Sequence, residues 1–135
     1  MVYINTDGSY DLSSGQGGWS YVINGKSFSG MEFSETTSNR MELTAAIKAL
    51  SHFLDPQEII ILSDSQYVVS GATKYIHKWL KNGWKNYNNK PVKNQDLWEK
   101  LLAAKNNHNQ VVFKWVPRKN NSAADLSARK ARRVN

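Results

Sequence analysis

The feature that most constrains the fold of this chain is an uninterrupted apolar segment in its middle. Ile59-Ile60-Ile61-Leu62 contains three β-branched residues and no polar one. This composition is typical of a strand that is buried on both faces. Such strands lie inside sheets that helices cover on both sides. The segment therefore predicts an α/β fold with this strand in the interior.

Further strand signals complete a mixed sheet. We predict five strands, at residues 2–7, 19–23, 26–31, 59–63 and 111–116. Asn24-Gly25 is typical of a two-residue hairpin turn, so the first three strands should form an antiparallel meander. Helical segments precede each of the last two strands, which makes those strands parallel to the first. The right-handed crossover rule places both beside the first strand, on the side away from the hairpin.

Helices are expected to cover both faces of this sheet. Their apolar positions predict a first helix that carries Leu43 to Leu54 and has Glu42 in its first turn, and further helices at residues 67–80, 95–102 and 122–133. Asp55-Pro56 would end the first helix, and Gly71 would interrupt the second. Asn94 would cap the third helix. Residues 84–93 are polar and basic, which favours an exposed loop between the second and third helices.

The composition excludes several kinds of chemistry. The chain has 135 residues, of which 40% are hydrophobic and 21% charged, and this suits one domain over residues 1–135. Cysteine is absent, which excludes disulfides, iron–sulfur clusters, cysteine-ligated zinc and a thiol nucleophile. We see neither a signal-peptide pattern nor an apolar run long enough to span a membrane. We therefore expect a cytoplasmic monomer.

Charge is distributed unevenly along the chain. Residues 1–67 carry three basic and eight acidic residues, a net charge of −5, whereas residues 68–135 carry fifteen basic and three acidic residues, a net charge of +12. A basic half is typical of proteins that bind polyanions, and an acidic half is typical of proteins that bind cations. A solvated basic surface would explain the charge equally well, so charge alone does not choose between these interpretations.

Four acidic residues are candidates for one site. Asp7 and Asp64 are expected at the ends of the first and fourth strands, which leave the same edge of the sheet about 5 Å apart. Glu42 and Asp125 lie in the first turns of two predicted helices. Crowded carboxylates favour a divalent cation, and oxygen ligands favour Mg²⁺ or Mn²⁺. Two such ions can activate water and stabilise the departing oxygen of a phosphodiester.

Each of these acids also has a purely structural explanation. Asp7 precedes a glycine and could belong to a turn, and Asp64 could cap the helix that follows it. Glu42 and Asp125 each lie three residues after a residue type that caps helices. Spacing leaves both interpretations open.

The segments around three of the acids form a more specific pattern. They are Thr6-Asp7-Gly8-Ser9, Thr36-Thr37-Ser38-Asn39-Arg40-Met41-Glu42-Leu43 and Ser63-Asp64-Ser65-Gln66-Tyr67-Val68. Further along lie Gly83-Trp84-Lys85, Lys90-Pro91-Val92-Lys93-Asn94 and Asp96-Leu97-Trp98. In this order, over nearly the whole chain, the segments resemble type 1 ribonuclease H, and the later ones resemble the basic protrusion of the bacterial enzymes.

The resemblance implies a ribonuclease H-like fold and hydrolysis of the RNA strand of RNA–DNA hybrids. It implies two Mg²⁺ ions, with Mn²⁺ as a substitute, and products with 5′-phosphate and 3′-hydroxyl ends. By match of motif, the catalytic and metal-binding residues would be Asp7, Glu42, Asp64 and Asp125. The implied substrate contacts are Thr37 with a DNA phosphate, Ser38, Asn39 and Gln66 in the minor groove, and Trp84, Lys81, Lys85, Lys90 and Lys93 on the protrusion.

The chain departs from the family pattern before Asp125. Many bacterial members carry a His-containing loop there, whereas residues 116–124 form a shorter interval without His. We expect Arg118 or Lys119 to contact the product phosphate in place of that His. Ser38 also replaces an Asn that is common in the family.

Two other functions fit the same features. One is a module that binds hybrids or double-stranded RNA through the basic half, with the acids as helix caps. The other is a different nuclease or strand-transfer enzyme with the same sheet and acids, such as a resolvase or integrase core. The protrusion favours the hybrid-cleaving family over these relatives.

Overall fold

The protein was analysed as a computed structural model, which describes residues 1–32 and 36–133. Its strands are β1 (Val2–Tyr10), β2 (Gly17–Ile23), β3 (Lys26–Glu32), β4 (Glu58–Ser63) and β5 (Gln110–Trp115). They form one sheet in the order β3-β2-β1-β4-β5. β1, β2 and β3 pair antiparallel, whereas β4 runs parallel to both β1 and β5. The predicted mixed sheet is confirmed, including the position of the two parallel strands.

Helices lie on both faces of this sheet. They are α1 (Ser38–Leu50), α2 (Gln66–Ser70), α3 (Ile76–Lys81), α4 (Gln95–Asn106) and α5 (Ser122–Ala131). A Cβ atom built on Gly8 would meet α1, and one built on Gly18 would meet the backbone of α5, so these helices approach β1 and β2 from opposite sides. In the described part of the chain, no helix has the length and apolar character needed to cross a membrane.

The core lies mainly between the sheet and the helices α1 and α4. Ile59, Ile60 and Ile61 of β4 are buried, as the apolar run predicted. Trp98 of α4 is fully buried, and its indole Nε1 donates a hydrogen bond to the hydroxyl of Tyr67, 3.1 Å away. The interior strand therefore anchors the sheet at the position that the sequence indicated.

Two predicted element boundaries are wrong. β1 does not stop at Gly8 but continues to Tyr10, because Gly8 is extended and pairs with Trp19 of β2. α1 ends at Leu50, and Leu54 is 99% exposed rather than part of the apolar face of the helix. The apolar spacing continued beyond the helix by coincidence.

Two expectations about the second half hold in position but differ in detail. The α-helix is interrupted at Gly71, but by a change of helix type: Gly71 has helical angles (φ −61°, ψ −47°) and begins a π-helical segment, Gly71–Tyr75, that joins α2 to α3. Asn94 occupies the N-cap position of α4 with φ 61°, but its side chain makes no capping bond. Its amide nitrogen donates to the hydroxyl of Tyr67, and its amide oxygen accepts from Arg40.

Candidate active site

Asp7 lies within β1, where its side chain is buried. The preceding residue, Thr6, pairs with Ser63, the last residue of β4, so the end of β4 lies directly beside Asp7. One carboxylate oxygen of Asp7 accepts a hydrogen bond from the N–H of Gly8 at 3.0 Å. Asp7 is therefore part of the strand rather than of a turn.

Glu42 reaches the same place from the second turn of α1 rather than the predicted first turn, because the helix begins at Ser38. Its carboxylate accepts a hydrogen bond from the N–H of Gly8. This contact needs a glycine, because a Cβ atom on Gly8 would lie 2.4 Å from the backbone nitrogen of Glu42. The cap of α1 is Thr37, whose hydroxyl accepts from the N–H of Arg40 at 3.2 Å. Glu42 has no part in that cap.

Asp64 follows β4 directly and also makes no cap. The cap of α2 is Ser65, whose hydroxyl accepts from the N–H of Val68 at 3.2 Å. Within the described part of the chain, the buried oxygen Oδ2 of Asp64 accepts no hydrogen bond. Its nearest ion-pair partner is Nε of Arg118 at 3.9 Å, on a side chain that is 77% exposed. This oxygen is free to bind a cation.

Asp7, Glu42 and Asp64 together form a three-carboxylate cluster. Each offers an oxygen atom, and these atoms lie within 4.8 Å of one another. Burial, together with the negative charges of Asp64 and Asp125, raises the pKa of Asp7 from 3.8 to about 7. Burial and the charge of Asp7 likewise raise the pKa of Glu42. Ionised carboxylates at this separation repel one another, so a divalent cation among them would relieve that cost.

Asp125 lies at the margin of this cluster, in the first turn of α5. Its negative charge contributes to the raised pKa of Asp7, so the two carboxyl groups are neighbours. Its Oδ2 atom also lies 3.2 Å from Nη2 of Arg129, one turn further along α5. The cluster whose oxygens all lie within 4.8 Å of one another does not include Asp125. Asp7 is thus the member of the cluster whose pKa responds to the fourth acid.

The structure places the expected substrate contacts on the surface around the acids. Exposed side chains at the start of α1 are Thr37, Ser38 and Asn39, and Gln66 is exposed at the start of α2. The four lysines predicted to contact substrate are exposed on α3 and the following loop: Lys81, Lys85, Lys90 and Lys93. Trp84 is half-buried, has φ 62°, and packs with its ring centroid 6.2 Å from that of Trp79. Its indole is therefore partly used in packing.

Two features of the structure were not predicted from the sequence. One is a groove of about 410 Å³ beside the loop, lined in part by Tyr75, Trp79 and Tyr87. The alternation of aromatic and basic residues along α3 was the available signal for it. The other is Asn121, a buried residue before α5 whose side chain contacts β1. Nothing in the local sequence indicates that contact.

Known proteins match both the sequence and the fold. The family model described as RNase H matches residues 1–133. Ribonuclease H of Rhizobium meliloti (strain 1021) is 46% identical over 137 residues, which cover 96% of this chain and 88% of that protein. Ribonuclease H of Erythrobacter litoralis (strain HTCC2594) is 44% identical over 131 residues, which cover 94% of this chain and 90% of that protein.

Solved structures extend the comparison to three dimensions. LC9-RNase H1, described as a type 1 RNase H with the type 2 active-site motif, superposes with a TM-score of 0.82 at 26% identity, over 97% of this chain and 71% of that one. LC11-RNase H1, crystallised with an RNA/DNA hybrid, has the same fold, with a TM-score of 0.73 at 23% identity over 98% of this chain and 96% of that one. With the family match over residues 1–133, these similarities show that the chain belongs to the ribonuclease H family.

Proposed function

We propose that this chain is an endoribonuclease that hydrolyses the RNA strand of RNA–DNA hybrids and leaves 5′-phosphate and 3′-hydroxyl ends. The observation that carries this function is the three-carboxylate cluster in a chain of the ribonuclease H family. LC11-RNase H1, whose fold is similar, was crystallised with such a hybrid. We further propose that residues 1–135 act as one domain, as a cytoplasmic monomer.

The residues of the cluster fit two Mg²⁺ ions, with Mn²⁺ as a substitute. Asp7, Glu42 and Asp64 would hold the metal, with Asp125 as a fourth ligand next to Asp7. Their oxygens are hard ligands of the kind that Mg²⁺ prefers, and Oδ2 of Asp64 is a buried acceptor that receives no hydrogen bond in the described part of the chain. Such ions, when bound, supply an activated water and stabilise the departing oxygen of the phosphodiester.

The protein's own side chains orient the substrate around this centre. Ser38, Asn39 and Gln66 are exposed polar groups that can hydrogen bond in the wide minor groove of a hybrid, where the ribose 2′-hydroxyl distinguishes RNA from DNA. Thr37 would contact a DNA phosphate, although its hydroxyl already caps α1. The protrusion, with Trp84 and its lysines Lys81, Lys85, Lys90 and Lys93, would bind backbone phosphates without reading sequence.

Arg118 and Lys119 are proposed to contact the product phosphate. Both are exposed in the short turn between β5 and α5, and Arg118 lies 3.9 Å from Asp64. A phosphate leaving the cluster would meet this positive charge. We expect Arg118→Ala or Lys119→Ala to lower turnover in multiple-turnover assays, and unchanged turnover in both would contradict the assignment.

The decisive experiment compares substrates and acid variants. Purified protein with Mg²⁺ should cleave an RNA–DNA hybrid but neither double-stranded RNA nor double-stranded DNA. Asp7→Asn and Asp64→Asn should abolish cleavage while the affinity for the hybrid, measured in Ca²⁺ or EDTA, stays equal or increases. Binding without cleavage by the wild type would favour the binding module, and cleavage of double-stranded DNA would favour the other nucleases.

A further inference from the structure

Asn121 is a buried polar residue immediately before α5, with 2% of its surface exposed. Its side chain makes two hydrogen bonds to β1, which is distant in sequence. The oxygen Oδ1 accepts from Nδ2 of Asn5 at 2.9 Å. The nitrogen Nδ2 donates to the carbonyl of Thr6 at 2.8 Å. Both polar groups of this side chain therefore hydrogen bond across to β1.

Helix capping does not explain these contacts. An Asn before a helix commonly accepts a hydrogen bond from an N–H of the first turn. Asn121 makes no such side-chain bond, so α5 begins without that cap. The side chain turns toward β1 instead. Capping the start of α5 therefore does not account for a buried side-chain amide at this position.

The side-chain amide and the backbone carbonyl of Asn121 hydrogen bond to the backbone next to one candidate metal ligand and to the backbone of another. The carbonyl of Thr6 belongs to the peptide group that joins Thr6 to Asp7, so the amide of Asn121 fixes the orientation of that peptide. The backbone carbonyl of Asn121 accepts from the N–H of Asp125 at 3.0 Å. One residue thus connects the backbone of Asp7 to the backbone of Asp125.

We propose that Asn121 is a positioning residue that sets the separation of Asp125 from Asp7 and thereby the affinity for divalent cations. The proposal rests on the proposed function, since it assigns these acids to a metal site. The apolar contacts of α5 are weak, so the position of this helix depends on hydrogen bonds such as those of Asn121. Its buried residues are all alanines, Ala124, Ala128 and Ala131, which bury little apolar surface to hold the helix in place.

The far end of α5 provides a matched control. Nη1 of Arg132 donates to the hydroxyl of Ser9 at 2.7 Å and to the carbonyl of Tyr10 at 3.1 Å. These bonds also fasten α5 to β1, but at the end of the helix away from Asp125. Arg132→Met therefore weakens the attachment of the same helix to the same strand without touching the link between the two acids.

The test measures Mg²⁺ binding through protein stability, without substrate. The midpoint of thermal unfolding is followed as Mg²⁺ is added to EDTA-treated wild type, Asn121→Ala and Arg132→Met. We expect Asn121→Ala to raise the half-saturating Mg²⁺ concentration by about tenfold or more, as is typical for residues that orient metal ligands. Arg132→Met should leave that concentration within about twofold of wild type. The KM for hybrid should stay unchanged in both variants.

Each alternative outcome has a defined meaning. Equal increases in the two variants would show that attachment of α5 in general matters, and this would overturn the specific role of Asn121. No increase in Asn121→Ala would overturn it directly. If Asn121→Ala does not fold, Asn5→Ala replaces it, with a smaller increase expected because the bond to Thr6 remains. A wild type whose unfolding midpoint does not respond to Mg²⁺ would overturn the proposed metal site itself, whereas a normal wild-type response isolates the failure to Asn121.

Discussion

Gly8 shows how one missing side chain brings two acids together. It lies between Asp7 and the passing backbone of α1, and the absence of a Cβ atom lets Glu42 accept its N–H. The sequence suggested a turn because glycine is common in turns. The actual requirement is close approach of helix and strand, which depends on a segment more than thirty residues away.

Gly8→Ala should therefore damage the cluster as well as the packing. A Cβ atom would lie 2.4 Å from backbone atoms of Met41 and Glu42, so α1 must move away from β1. We expect a loss of roughly 1–3 kcal/mol in the free energy of unfolding, typical of overpacking, and a much lower cleavage rate. Urea unfolding and a hybrid-cleavage assay measure the two effects.

Gly15→Ala is the control for Gly8→Ala. Gly15 has φ +75° and nothing within 4 Å of a built Cβ atom, so the substitution adds only backbone strain. It should cost about 1 kcal/mol of stability and leave cleavage unchanged. If Gly8→Ala cleaves at the same rate as Gly15→Ala, the close approach of α1 is not needed for activity.

The raised pKa of Asp7 predicts a pH-dependent stability in EDTA. Burial raises this pKa from 3.8 to about 7, so the folded protein holds the proton more strongly than the unfolded chain. The resulting stabilisation is complete below about pH 4 and is lost as the pH rises toward 7. Asp7→Asn removes this loss and should be on the order of 4 kcal/mol more stable than wild type at neutral pH, because each pKa unit corresponds to about 1.4 kcal/mol.

Urea unfolding between pH 4 and 8 tests this dependence. The difference between wild type and Asp7→Asn should grow with pH in EDTA. If Mg²⁺ binds there as proposed, saturating Mg²⁺ should reduce this difference, because the cation would replace the proton among the carboxylates. A difference that does not change with pH in EDTA would contradict the raised pKa.

At the scale of elements, the sequence predicted the strands and helices better than their ends. The apolar run of β4 and the Asn24-Gly25 turn are local signals, and both were read correctly. The end of α1 and the course of the chain through Gly71 depend on tertiary packing, which spacing does not contain. Three of the four candidate acids could be predicted because family motifs surround them, whereas Asn121 lies in a polar segment and hydrogen bonds to a strand at the other end of the chain.

The helical segment from α2 to α3 is shaped by Trp98 of α4. A Cβ atom on Gly71 would lie 2.2 Å from the indole ring of Trp98, so glycine is required where this segment passes α4. Gly71→Ala should lower the free energy of unfolding by roughly 1–3 kcal/mol. Trp98→Phe in the Gly71→Ala background should recover part of that loss by making room. A double-mutant cycle followed by urea unfolding measures the coupling, and additive effects would contradict this packing.

At the scale of the whole molecule, the acidic and basic halves of the sequence contribute to different parts of the surface. The basic half contributes the exposed lysines of the protrusion, and the acidic half contributes three of the four candidate ligands. The sheet order followed from general rules of chain connection, so it could be predicted from the sequence. Which surface the hybrid covers depends on the arrangement of side chains and could be expected only through the family resemblance.

The protrusion predicts a salt-dependent affinity. If Lys85 and Lys90 each neutralise a phosphate, the double variant Lys85→Gln/Lys90→Gln should reduce the slope of log affinity against log salt by about 2. Lys26→Gln, at the hairpin end of the sheet, is the control and should leave the slope unchanged. Fluorescence anisotropy with a labelled hybrid in Ca²⁺ measures both. Equal slopes for the double variant and the wild type would place the hybrid elsewhere.

The turn between β2 and β3 offers a practical consequence. Asn5 pairs with Val22 and Tyr10 pairs with Gly17, so Asn24-Gly25 lies at the opposite end of the sheet from the carboxylates. Both turn residues are exposed, and a Cβ atom on Gly25 would meet nothing within 4 Å. A fluorophore or an immobilisation tag grafted there would leave the opposite edge accessible, so bead-bound protein should process long duplexes as freely as protein in solution.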